Sequence, residues 1–234
     1  MMHGGNMYIL HIETATKICS VAISQGDTLL GYKDLEEGMN HAARLTPLIE
    51  EVIRSHGVQM EEIGAVSVSS GPGSYTGLRV GGSTAKAIAY SRNIPLVPVP
   101  TLLALATAGF EKYPEVGYVC PMLDARREEV YTAHFSRQQG QIRETQTLIL
   151  SGTDPFGTFL ERGPVLFCGD GAFKVRELQG FEADWLIDEA ILCSARHLVL
   201  PASRMLKEDR TAEAMHFVPF YLKPPNITQA KKII

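Results

Sequence analysis

The period of hydrophobic and polar positions changes several times along the chain, and each change predicts an element. Tyr8-Ile9-Leu10-His11-Ile12, Ile18 to Ile23 and Thr28 to Lys33 are short apolar runs. The polar stretch Glu13-Thr14-Ala15-Thr16-Lys17 and the turn Gln25-Gly26-Asp27 separate them, so they read as an antiparallel meander of three strands. From His41 to about His56 the period becomes helical. Leu45, Leu48, Ile49, Val52 and Ile53 share one face, and Gly57 is the stop. Ala65 to Ser69 is a fourth strand, followed at once by Gly71-Pro72-Gly73-Ser74-Tyr75-Thr76-Gly77. Leu78, Gly81, Gly82, Ala85, Ile88 and Ala89 then resume helical spacing, and Leu96 to Val99 is a fifth strand.

The second half repeats this order without repeating the sequence. Val116 to Leu123 and Val130 to Phe135 pair across Asp124-Ala125-Arg126-Arg127-Glu128-Glu129, and Ile142 to Ile149 is a third strand. A helix around Pro155 to Leu160 leads to the strand Pro164 to Cys168. A long helix from about Ile191 carries Ala195, Leu198, Val199, Ala202, Met205 and Leu206 on one face, with Pro201 as a bend or break. Two βββα-type units predict a duplicated α/β fold with a cleft between halves.

Composition narrows the setting. The 234 residues carry 22 Lys+Arg against 26 Asp+Glu, a formal net charge of -4, which does not suit a chain that binds nucleic acid by wholesale phosphate neutralisation. No apolar run approaches the roughly 20 residues of a membrane span. The N-terminus lacks the basic and apolar regions of a signal peptide, and Met7 is a candidate true start after a six-residue extension. Four scattered cysteines without C-x-x-C predict reduced, buried thiols in a cytoplasmic protein.

Candidate chemistry is local. The loop Gly71 to Gly77 supports two readings, a backbone cradle for phosphate at a helix N-terminus or a tight turn that lets a helix dock closely. It is no Walker A, and Gly81 and Gly82, each costly in a helix interior, speak for close approach. Glu13 and Thr14 end the first strand, Asp124 stands at the matching turn of the second unit, and Gly169-Asp170-Gly171 follows a later strand. Together they outline a nucleotide cleft, or alternatively ordinary charged hairpins and a tight turn. The seven histidines form no H-x-x-x-H pair, and no G-x-S-x-G nucleophile elbow is present.

Several landmarks in order and spacing carry a family resemblance. They are Ile12-Glu13-Thr14-Ala15-Thr16, His41-Ala42-Ala43-Arg44-Leu45, the stretch Ser70 to Gly81, Leu123 to Tyr131, Gly169-Asp170-Gly171-Ala172 and Pro219-Phe220-Tyr221-Leu222. The chain resembles the bacterial TsaB, or YeaZ, family over nearly its whole length. That resemblance implies two ribonuclease-H-like lobes of the actin/Hsp70-like ATPase fold, divided as residues 1–103 and 104–234, the late helix packing back on the first lobe. It implies a non-catalytic partner of TsaD in making N6-threonylcarbamoyladenosine at position 37 of tRNAs that read ANN codons. TsaE joins that complex, tRNA is met through it, and the chain alone forms a homodimer. No cofactor is required, and the complex interface is a candidate site for ATP or ADP. The implied interface residues are His41, Arg44, Leu45, Leu48, Ile49, Val52, Leu78, Arg79, Gly81, Gly82 and Ala85. Glu13, Thr14, Asp124, Gly169, Asp170 and Gly171 mark a vestigial cleft. Glu13 stands where the family has Asp, one methylene longer, which argues against metal-nucleotide hydrolysis. The alternatives are an actin-like-fold ATPase or kinase, or an M22-type peptidase. The basic Lys231-Lys232 pair is a candidate tRNA contact or, on the alternative reading, part of a disordered tail.

Overall fold

The computed structural model describes residues 7–36, 40–150, 156, 164–177 and 185–223. The first lobe runs β1 (Tyr8–Glu13), β2 (Cys19–Gln25), β3 (Thr28–Leu35), α1 (His41–Ser55), β4 (Ile63–Ser69), α2 (Tyr75–Arg92) and β5 (Leu96–Val99). Its strands lie in the order β3-β2-β1-β4-β5, antiparallel through β3, β2 and β1 and parallel from β1 to β5. The second lobe contributes β6 (Tyr118–Asp124), β7 (Glu129–Ser136), β8 (Gly140–Ile149), β9 (Val165–Cys168) and β10 (Leu186–Asp188), in the order β10-β9-β6-β7-β8. Numbered within each lobe, both sheets therefore have the strand order 3-2-1-4-5, which is the duplication the element order predicts.

Central strands are nearly continuous apolar runs because both faces are covered. Leu10, Ile12, Val66 and Val68 pack with the buried stripe of α1, Leu45, Leu48, Ile49 and Val52, in one core. The edge strand β3 leaves Leu29, Leu30 and Tyr32 exposed. Gly57, at φ 67°, follows the end of α1 as expected of a left-handed stop.

Two helices depart from the sequence expectation. Thr101–Lys112 forms α3, where no element was anticipated, and the boundary at residue 103 falls inside it. Its small and apolar residues Leu102, Leu105, Ala106 and Ala108 are buried in the second lobe's core with Val119 and Phe135. So many Ala and Leu positions give no contrast between faces, which is why the helical period is hard to read there. The late helix is shorter than expected: α4 covers Val199–Lys207 after a 3-10 turn at Ala195–Leu198. Pro201 lies in the first turn of α4, where its missing N–H leaves no helical bond unmade, so it neither bends nor breaks the helix. Leu198, Ala202 and Met205 pack against Val97 and Val99 of β5. Each lobe thus receives a helix from the other half of the chain. The helix anticipated at 155–160 lies outside the described residues except Phe156, which packs tilted against Phe167 and edge-to-face with Trp185 in the second lobe.

From Ala212 the chain turns back across the first lobe as an extended strap. Ala212 bridges to Leu96, Phe217 enters the first core, and the Phe220 amide donates to the Ser70 carbonyl at 2.7 Å. No helix of the described residues is long and apolar enough to cross a membrane.

Candidate functional site

The residues singled out in sequence fall into three places: the end of β1, the end of β6, and the α1–α2 layer.

At the end of β1, Glu13 and Thr14 are buried beneath the Gly71–Gly77 loop. Glu13 Oε1 accepts from the Ala15 amide at 2.6 Å and from the Ser69 hydroxyl at 2.8 Å, while Oε2 is buried without a partner among the described residues. Burial outweighs those hydrogen bonds and pushes the Glu13 carboxyl up to about 7. Thr14 Oγ1 donates to the Gly77 carbonyl at 2.8 Å. A Cβ on Gly77 would stand 2.0 Å from the Thr14 carbonyl oxygen, and one on Gly81 would stand 2.2 Å from Thr14 Oγ1. Three of the loop's amides are spent inside the chain. Gly71 donates to Thr101 Oγ1, Ser74 to the Ala15 carbonyl and Gly77 to Ser74 Oγ. Of the two readings of this loop, close packing is the one its contacts explain.

At the end of β6, the structure brings Asp124, Gly169, Asp170 and Gly171 together, because β6 and β9 run parallel with Pro121 opposite Cys168. Asp170 Oδ1 accepts from the Asp124 amide at 2.9 Å. Asp124 Oδ1 binds the Lys174 ammonium at 2.6 Å and the Arg126 amide at 2.9 Å. Burial works to raise the Asp124 carboxyl, but Lys174 and the Arg126 amide together hold it below the ordinary carboxylate value. Burial raises that of Asp170. Gly169, at φ 103°, lies against the Met122 carbonyl, 2.1 Å from where a Cβ would be. Cys193 is buried in the second lobe's core, its thiol raised by burial and by the charges of Glu13 and Asp170. The seam nearby is tied by the Ala195 amide to Ser20 Oγ at 2.8 Å and by Ser194 Oγ to Asp34 Oδ1 at 2.8 Å.

These groups do not fit the phosphates and metal of a nucleotide. Glu13 is sealed under the loop, Asp124 is matched by a lysine, and the glycines are filled by neighbouring backbone. Among the described residues no group of three or more His, Cys, Asp or Glu could hold a metal ion.

The α1–α2 layer corrects much of the expected interface. Leu45, Leu48, Ile49, Val52, Leu78, Gly81, Gly82 and Ala85 are all buried in the chain's own fold. A helix lying on a sheet has one apolar face, and here the sheet takes it. Gly82 is covered by the strap, with Phe217 and Pro219 at 3.3–3.4 Å from a Cβ placed on it. His41 is buried too, its Nε2 facing the Ile18 carbonyl at 3.3 Å. Arg44 and Arg79 are exposed, and Arg79 lies over the Tyr75 ring. The outward layer that sequence reasoning passed over includes Thr46 on α1 and Ser83, Ala87 and Tyr90 on α2. Apart from Tyr90 its residues are small or polar and gave no apolar stripe to read.

The strap was also missed, apart from the landmark at Pro219–Leu222. Lys86 Nζ donates to the Met215 and Phe217 carbonyls at 3.2 and 2.9 Å, Tyr221 stacks on Tyr75, and Lys223 reaches Glu129 in the second lobe.

Comparison with known proteins agrees with this architecture. The family model described as "TsaD: tRNA N6-adenosine threonylcarbamoyltransferase" matches residues 36–231. The Escherichia coli "tRNA threonylcarbamoyladenosine biosynthesis protein TsaB" is 29% identical over 221 residues, 93% of this chain and 95% of that one. The Haemophilus influenzae protein of the same name is 32% identical over 134 residues, about half of each chain (57% and 56%). Among solved structures, YeaZ from Pseudomonas aeruginosa superposes with a TM-score of 0.78 at 25% identity, covering 92% of this chain and all of that one. The Clostridium difficile activator of 2-hydroxyisocaproyl-CoA dehydratase, solved with ADPNP, shares the fold at a TM-score of 0.51 and 10% identity, covering 87% of this chain and 97% of that one. The fold is thus the two-lobed actin/Hsp70-like ATPase fold, and the chain belongs to the TsaB/YeaZ family, within the wider grouping that the TsaD model describes.

Proposed function

We propose that this chain is a non-catalytic partner of TsaD in the synthesis of N6-threonylcarbamoyladenosine on tRNA. The names of its relatives support the pathway. The observation that carries the non-catalytic role is the fate of the two strand-end carboxylates. Glu13 is buried and held by Ala15 and Ser69, and Asp124 is engaged by Lys174. Neither is left to position a metal-bound phosphate, so the cleft works as a support and the chemistry belongs to TsaD. On this reading the chain needs no cofactor of its own, and ATP or ADP belongs to the boundary with TsaD.

The surface offered to TsaD, and to a second copy when TsaD is absent, is the outward layer of α1 and α2 around Arg44, Thr46, Arg79, Ser83 and Ala87. TsaE joins through that heterodimer. Reconstitution of the modification with purified TsaD and TsaE, with and without this chain, tests the role. Activity is expected only with the chain, and Asp124→Asn is expected to retain it. Loss of activity in Asp124→Asn with the TsaD complex intact would instead make the chain an enzyme. Ser83→Arg is expected to abolish co-elution with TsaD without lowering the Tm; normal co-elution would move the partner surface elsewhere.

A further inference from the structure

The tip of the β6–β7 hairpin holds two arginines in an unfavourable backbone. Arg126 and Arg127 stand at φ 73° and 50°, both in the left-handed region. Such turns select Asn, Asp or Gly, because a Cβ crowds the following carbonyl. Two successive arginines run against that selection, and packing does not explain them. Both are exposed, and among the described residues neither guanidinium has an ion-pair or hydrogen-bond partner.

The hairpin beneath them is braced from several sides. Asp124 binds Lys174, and the Glu129 carboxylate binds Lys223. The Glu129 carbonyl accepts from Lys174 Nζ at 2.9 Å and from the Ala125 amide at 3.1 Å. The Glu128 carbonyl accepts from the Leu150 amide at 2.9 Å. The carboxylates at 124 and 129 are therefore already matched to lysines, which leaves the two guanidiniums unneutralised on a rigid base. The corresponding hairpin of the first lobe adds Lys17, exposed and close enough for its charge to act on both Asp124 and Asp170. Cations from both lobes thus gather over the end of β6. Glu128, exposed beside them, keeps the local surplus to a few charges.

Resting on the tRNA-modification reading above, which supplies the polyanion, we infer that Arg126 and Arg127 contact the RNA phosphate backbone directly, with Lys17 as an outer cation. A guanidinium fork matches phosphate oxygens bidentately, and a projecting, preordered tip suits a backbone running past it. Two or three such contacts are compatible with a chain of net charge -4, since they add to a complex and do not carry binding alone.

The test measures binding of an unmodified tRNA transcript that reads an ANN codon to the chain mixed with TsaD, across a range of KCl. The variant Arg126→Asn/Arg127→Gly suits the turn, so its Tm is expected to hold or rise by a few degrees. Its affinity is expected to fall about tenfold or more at low salt. Its log–log salt slope should be smaller by about 1.4–1.8, the value of two phosphate contacts. Arg126→Lys/Arg127→Lys should keep most of the slope. Wild-type affinity and slope in the Asn/Gly variant would overturn the contact. So would loss of TsaD co-elution with the slope unchanged, which would assign the arginines to an acidic protein surface. If wild-type chain binds RNA with the full slope but fails to support modification, the pathway reading fails and the phosphate contact stands. If it supports modification while the variants bind RNA like wild type, only the contact fails.

Discussion

Glu13 is the residue at which burial and charge conflict most directly. With its folded value at about 7 against an ordinary value of 4.5, the folded state holds the proton more tightly than the unfolded chain. The resulting contribution is fully present below about pH 4.5 and is lost as pH rises through 7. Its size is at most about 3.5 kcal/mol, since each tenfold change in proton affinity is worth roughly 1.4 kcal/mol. Glu13→Gln should remove that slope and leave the variant more stable than wild type at pH 8, read by urea unfolding at pH 5 and pH 8. An unchanged slope would mean that Glu13 is not the buried acid. The glycines behave as packing residues at the same scale. Gly81→Ala forces a methyl into Thr14, whose hydroxyl is already committed to Gly77, and should cost about 1–3 kcal/mol. Gly82→Ala meets only Phe217 and Pro219 at ordinary or slightly tight distance and should cost less than about 1 kcal/mol.

Among the elements, the strap spans the first lobe and reaches the second. It covers Gly82, is held by Lys86, seats its Phe220 carbonyl against Gly71 and reaches Glu129 of the other lobe through Lys223. Phe217 is its apolar anchor, buried among the α1 and α2 side chains. Phe217→Ala should cost about 3–5 kcal/mol and open the segment after Ala212 to limited proteolysis, because the cavity and the loss of the anchor coincide. Lys86→Met should produce a smaller loss, about 1–2 kcal/mol, since two carbonyls lose a partly exposed charged donor. Equal protease resistance in both variants and wild type would show that the strap is held by its backbone bridges instead. A bulky residue at Gly82 would lift this strap, so it tests the strap and not the partner surface.

In the whole molecule, the exchange of α3 and α4 between the halves is what makes the two lobes one structure. α3 fills the second core, α4 covers β5, and the Ser194–Asp34 and Ala195–Ser20 contacts close the seam between them. Unfolding should therefore be a single transition by near- and far-ultraviolet dichroism, despite the two sheets. Two resolved transitions would mean that the seam contributes little. The strands and α1 were legible in the sequence because period 2 and period 3.6 are written in single segments, as in Leu45 to Ile53. Glu13 and Asp124 were legible as a pair because the duplication places them at matching strand ends. Their roles were not: nothing near Asp124 in sequence announces Lys174, fifty residues later, and nothing near Gly82 announces Phe217 and Pro219. By itself the sequence determined most of the strands, α1 and α2, the duplication and the family. Which face of α1 and α2 the chain uses for itself, and which carboxylates it neutralises, only the tertiary structure decided. Those outcomes depend on contacts between segments far apart in the chain, and local periodicity carries no record of them.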